Sequence, residues 1–169
     1  MTLSMYQASV PLLSHSLNTF INILQKGADY ADAKKIEHSV LLGTRLYPDM
    51  FPLSRQVQIA SDIARRGLSR LAGVEAPSME DNETNFAELI HRLEETIAYL
   101  KTLSADQIDG TEKKVIELPI GTETLTFEGQ TFLLYFVLPN VYFHITTAYD
   151  ILRHCGVEVG KRDFLGAPQ

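Results

Sequence analysis

The stretch LPNVYFHITTAYDILRHCG, residues 138–156, constrains the fold more than any other. Placed on a helix at about 100° per residue, it is apolar almost all the way round. A helix of that kind has to be surrounded by other elements rather than laid on a surface. The pattern predicts one long helix over residues 129–154, with Gly156 as its stop and Pro139 inside it as the site of a kink.

The rest of the chain supplies the surrounding elements. Val10, Leu13, Leu17, Phe20, Ile21 and Leu24 recur at three- and four-residue steps and predict a helix over residues 4–26. Pro11 should loosen its first turns and Gly27 should end it. A short helix is expected over residues 38–46, before YPDMFPLS breaks the pattern with two prolines. Val57, Ala60, Ile63, Ala64, Leu68 and Leu71 predict a helix over residues 53–71, with Gly73 just past its end. Asn85 and Glu88 have the spacing of a capping box. They should open a helix over residues 86–103 whose inward arc holds Phe86, Leu89, Ile90, Leu93, Ile97 and Leu100. TEKKVIELPIGTETLTF reads as a small β-hairpin around Pro119 and Gly121. The tail VEVGKRDFLGAPQ is expected to be irregular, with Phe164 and Leu165 as anchors. Four long helices, a short one and a hairpin between the last two long helices make an all-α, antiparallel four-helix bundle the economical fold, as one domain over residues 1–169.

Composition excludes several function classes. The formal net charge is −6, and no Lys/Arg-rich run offers a nucleic acid a basic face. The longest apolar stretch, residues 132–138, is too short to cross a bilayer. The chain has 1 cysteine, Cys155, so no intrachain disulfide can form. With an N-terminus unlike a signal peptide, this suits the cytoplasm. Phosphate-cradling glycine loops, Cys-x-x-Cys, His-Glu-x-x-His and G-x-S-x-G are absent from the sequence. Cys155 has no cationic neighbour in sequence that would activate its thiol.

The anomaly lies inside the last helix. Asn140, His144 and Thr147 share one arc at four- and three-residue spacing, a polar stripe in an apolar helix. Buried polar groups need partners. Three readings stay open: hydrogen bonds within the protein, a ligand pocket lined by these groups, or a metal site. Gln56 falls at the edge of the apolar arc of the helix before, and is the more inward of its two amides. Gln58 falls on the polar side with Arg55 and Asp62, which read as an ordinary ion pair. His15, His38 and His91 read as solvated or half-buried, and His154 as a helix-end residue.

The segments RLYPDMFPLSRQVQIASD, LPNVYFHITTAYDILRHCGVEVGKRDFLG and LSMYQASVPLL resemble an uncharacterised bacterial family grouped with the DinB/YfiT-like four-helix bundles. The resemblance covers nearly the whole chain. It implies an up-down-down-up bundle, often a homodimer. In many members three His hold one divalent metal, and some metal-containing relatives are thiol-dependent transferases or isomerases. The last helix of such members carries His-x-x-x-His. Here the second His corresponds to His144, and Asn140 stands in place of the first. The third ligand comes from the second core helix, where this chain has Gln56 or Gln58. The resemblance therefore implies a triad degraded to Gln, Asn and His. The expectation is a metal-free protein with a polar pocket at His144, Asn140, Gln56 and Thr147 that takes a small molecule. The alternative is a metal-dependent thiol transferase or hydrolase, its metal held by His144, Asn140 and Gln58. No cofactor is expected under the first reading, and a divalent metal under the second.

Overall fold

The structure, a computed structural model, describes residues 3–167; the terminal positions of the expected domain, residues 1–2 and 168–169, lie outside the described residues. The chain forms a four-helix bundle from α1 (Val10–Lys34), α3 (Leu53–Ala72), α4 (Phe86–Leu100) and α7 (Leu138–His154). Short helices α2 (His38–Leu42), α5 (Ala105–Ile108) and α8 (Lys161–Leu165) join them or follow them, and α6 (Gly129–Thr131) leads into the last helix. The strands β1 (Val115–Ile120) and β2 (Glu123–Glu128) pair antiparallel, Val115 opposite Glu128 and Ile120 opposite Glu123.

The contacts between helices fix their directions. α7 runs against α3, because Val137 meets Gly67 while His144 bonds Gln56. α4 runs with α3, because Arg92 reaches Asp62 and Tyr99 reaches Ser69. α1 opposes α4: Gly27 packs on Phe86, and the backbone N–H of Tyr6, ahead of α1, donates to Asp109, beyond the end of α4. The order is therefore up-down-down-up, and α3 and α4 are parallel neighbours. Residues 73–85 must return from the end of α3 to its start, and they lie along α3 as a strap.

The predicted apolar arcs face one core. Leu13, Leu17, Phe20, Leu24, Val57, Leu68, Leu89, Leu93, Val141, Ile145 and Ile151 are all buried. Gly73 ends α3 in the left-handed conformation, φ 73°, as its position suggested. Asn85 caps α4 through the Glu88 backbone N–H at 3.0 Å. The reciprocal bond shifts by one residue, with Glu88 accepting from the Thr84 N–H at 2.6 Å.

Several boundaries differ from the pattern. Gly27 does not stop α1, which continues to Lys34 and ends on Lys35 at φ 57°. A Cβ at Gly27 would lie 3.0 Å from Phe86 and 3.1 Å from Leu152, so the glycine serves close helix packing instead of termination. Pro11 sits in the first turn of α1, where its missing N–H costs nothing. The expected kink at Pro139 takes the form of a π-helical segment, Phe132–Val137, directly before α7. Widening the turn ahead of Pro139 absorbs its missing donor and the clash of its ring with the previous turn. The tail is ordered rather than irregular: α8 lies on α1, tied by Lys26–Asp163 at 2.7 Å and by His15 Nε2 to the Leu165 carbonyl at 2.7 Å. Phe164 packs on Tyr149, whereas Leu165 is 55% exposed and anchors nothing through its side chain.

Gly67 sets the spacing of α3 and α7, since a Cβ there would lie 2.8 Å from Val137 Cγ2. Gly67→Ala gains up to about 1 kcal/mol of helix propensity but overpacks a stiff β-branched neighbour, at a cost of about 1–3 kcal/mol. The net effect expected in urea unfolding is a loss of about 1 kcal/mol. Combined with Val137→Ala, the two losses should fall short of their sum by about 1 kcal/mol; strict additivity would show that this contact does not set the spacing.

Candidate functional site

His144 and Gln56 are brought together, as their positions on the two arcs suggested. His144 Nδ1 lies 2.6 Å from Gln56 Oε1. Gln56 is 1% exposed, and its Nε2 donates to the Phe51 carbonyl at 2.9 Å. That carbonyl can only accept, so it fixes which end of the amide faces the ring. The oxygen faces His144, and Nδ1 must therefore carry the hydrogen. Burial, reinforced by the charge of Arg55, lowers the His144 pKa from its ordinary 6.5. The ring is thus held neutral with the lone pair on Nε2, an atom with no hydrogen-bond partner among the described residues. Phe143 packs edge-on against the imidazole at 5.3 Å. The Arg55 guanidinium lies 6.0 Å from the centroid of the Phe51 ring.

Asn140 and Thr147 lie on the same arc but do not bond to His144. Asn140 Nδ2 donates to the Phe136 carbonyl at 2.7 Å, and Thr147 Oγ1 to the Phe143 carbonyl at 2.8 Å. Each satisfies itself on the preceding turn of its own helix. Gln58 points elsewhere: its Nε2 donates to Glu83 at 2.8 Å and its Oε1 accepts from Arg55 at 3.2 Å. His38 pairs with Asp32 and packs on Phe86, and His91 is exposed beside Glu94 and Glu95. The donor set does not fit a transition-metal centre. One imidazole nitrogen is free, the nearest polar group is an amide already bonded twice, and the Asn140 amide is engaged with backbone. Among the described residues no group of three or more His, Cys, Asp or Glu could hold a metal ion.

The sequence reading passed over a second polar assembly. Arg92, on the inward side of α4, is 3% exposed, and it makes four hydrogen bonds and a further ion pair. Nε donates to Ser61 Oγ at 3.2 Å. Nη1 donates to the Glu80 carbonyl at 2.8 Å and to Glu83 at 2.7 Å. Nη2 meets Asp62 at 2.9 Å and Asp81 at 3.0 Å. Burial alone would lower its pKa, but the Glu83 bond and the charges of Glu83, Asp62 and Asp81 raise it. Asp62 also holds Arg65 at 2.6 Å and Arg66 at 3.3 Å. The expected Arg55–Asp62 pair does not form; Arg55 binds Asp81 instead. A signal was available in sequence: Arg92 follows Leu89 by three residues and precedes Thr96 by four, on the apolar arc, with acids at 80, 81 and 83.

Residues 5–165 match the family described as Domain of unknown function (DUF1993). A solved structure described as a DinB family member protein from Shewanella denitrificans is 42% identical, with a TM-score of 0.86, over 96% of this chain and 92% of that one. None of the curated proteins matches. Among the described residues no helix is long and apolar enough to cross a membrane.

Two measurements test these assignments. The unfolded chain protonates His144 near its ordinary 6.5, while the folded chain resists until a lower pH. Stability is therefore full above about pH 6.5 and falls as pH drops toward the lowered value. In urea titrations between about pH 7.5 and about pH 5.5, His144→Gln should show a flatter decline than the parent; an unchanged slope would contradict a buried neutral imidazole. Arg92→Met leaves the buried Glu83 carboxylate without its cationic partner and should cost about 3–5 kcal/mol in urea unfolding. Arg92→Lys should recover little of this, because three donors cannot serve five acceptors.

Proposed function

The chain belongs to the family described as Domain of unknown function (DUF1993), with a DinB-like fold, and on that premise we propose that it binds a small organic molecule at the position where the resemblance implies a metal in other members. The carrying observation is the fixed tautomer of His144. A neutral imidazole, locked at Nδ1 by Gln56, offers Nε2 as a hydrogen-bond acceptor. Phe143 supplies an apolar ring beside it, and Arg55, which lies against the Phe51 ring, a nearby positive charge. The ligand suited to this site carries an O–H or N–H for the imidazole and a flat apolar part for the Phe143 ring. The degraded triad is read as a change of task, with Gln56 now orienting the ring instead of ligating a metal.

The homodimer belongs to the same proposal. Tyr135, Pro139 and Phe143 recur at four-residue steps on the outer side of the last helix, and Tyr135 is 78% and Phe143 58% exposed. An apolar strip of this kind suits a second copy of the chain. Because Phe143 also touches His144, a partner seated there would roof the pocket.

Metal analysis of protein purified without added metal or an affinity tag should find zinc, nickel and iron well below one per chain. Stoichiometric metal that disappears in His144→Ala would overturn the proposal and favour metal-dependent transferase or hydrolase chemistry. Light scattering should give a dimer mass for the parent and a monomer mass for Tyr135→Glu; a parent monomer would remove the roofed pocket.

A further inference from the structure

The chain has two enclosed arginines whose circumstances are opposite. Arg92 makes four hydrogen bonds, whereas Arg65, 0% exposed, has one bond, to Asp62. Its Nε is buried with no hydrogen-bond partner among the described residues. A guanidinium N–H left unpaired in the interior is costly.

Arg65 borders a cavity of about 390 Å³ between α3 and the first part of the strap. Arg66, Ser69 and Arg70 line the helix side, and residues 74–78 line the other. Three arginines thus line the cavity against a single lining carboxylate, Glu75. Asp62, the nearby acid, is already divided among Arg65, Arg66 and Arg92. This local excess of positive charge occurs in a chain of net charge −6. The end of α3 would repel an anion through its free carbonyls, but Lys114 Nζ caps those of Arg70 and Leu71 at 3.0 and 2.8 Å. The remaining field favours an anion, and forked guanidinium donors suit a tetrahedral oxyanion.

We propose that this cavity, walled by Arg65, Arg66 and Arg70, binds a phosphate group, either as the free ion or as the monoester end of a small molecule. It lies on the strap side of α3, apart from the His144 pair on the α7 side, and does not rest on the function proposed there.

Isothermal titration of the full chain with inorganic phosphate, at constant ionic strength in chloride, tests it. The expected result is saturable binding of one ion per chain, weakened about tenfold or more in Arg66→Ala/Arg70→Ala. Arg70→Gln alone serves should the double variant fail to fold, and should weaken binding severalfold. Glu75→Gln should tighten binding. A parallel titration with glycerol 3-phosphate separates the sources: tighter binding than phosphate points to a carried monoester, equal or weaker binding to the free ion. Heats no different from those of chloride, or arginine variants that bind as the parent does, would overturn the proposal and leave an adventitious ion only.

Discussion

The parallel run of α3 and α4 is the constraint on which much of this architecture depends. Two adjacent parallel helices cannot be joined by a tight turn. α3 has 20 residues and is about 30 Å long, and the chain must travel back along it before α4 can start. Residues 73–85 could reach about 43 Å at about 3.3 Å per residue, so they cover that distance with slack but without room for a helix of their own. Such a strap is polar and buries little apolar area of its own. It is held by charge: Arg92 takes Glu83, Asp81 and the Glu80 carbonyl from the strap and Asp62 from α3. With four hydrogen bonds and three carboxylates around it, one guanidinium joins α3, α4 and their connection. The charges of Glu83, Asp62 and Asp81 offset the desolvation of the buried cation.

Much of the fold was legible because burial obeys period. The arcs read on α1, α3, α4 and α7 are the buried faces, and Gly73 and Asn85 act as their local chemistry suggests. The errors have a common origin, in that local signals were given meanings that tertiary contacts replaced. Gly27 has the composition of a helix stop, yet it is a site where Phe86 and Leu152 press against α1. Pro139 signals a kink, and the local answer is a π-helical segment ahead of it in a helix that stays continuous. The tail has little periodicity, and its order comes from Lys26 and His15 on α1.

The candidate site was legible to the extent that a helical wheel registers polarity inside an apolar arc. That rule finds His144 and Gln56, whose partnership crosses helices. It also selects Asn140 and Thr147, because a wheel cannot distinguish a side chain aimed at a neighbour from one bonded back to its own helix. The opposite failure hid Arg92 and Arg65. A long charged side chain on a helix is normally solvated, so its place on an inward arc carried little weight. What reversed that expectation was the strap, whose position follows from topology and not from any nearby pattern.

Arg55 links the two polar regions. It binds Asp81 and Gln58 on the strap side, lies against Phe51, and its charge helps lower the His144 pKa. The carbonyl of that same Phe51 fixes Gln56, and Gln56 fixes the tautomer of His144. The strap's acids therefore hold the cation that biases the imidazole toward its neutral form. A displacement of Asp81 would change the charge felt at His144 without touching the ring. The connection demanded by parallel helices is in this way also part of the electrostatic surroundings of His144, and a substitution of Asp81 acts on both through Arg55.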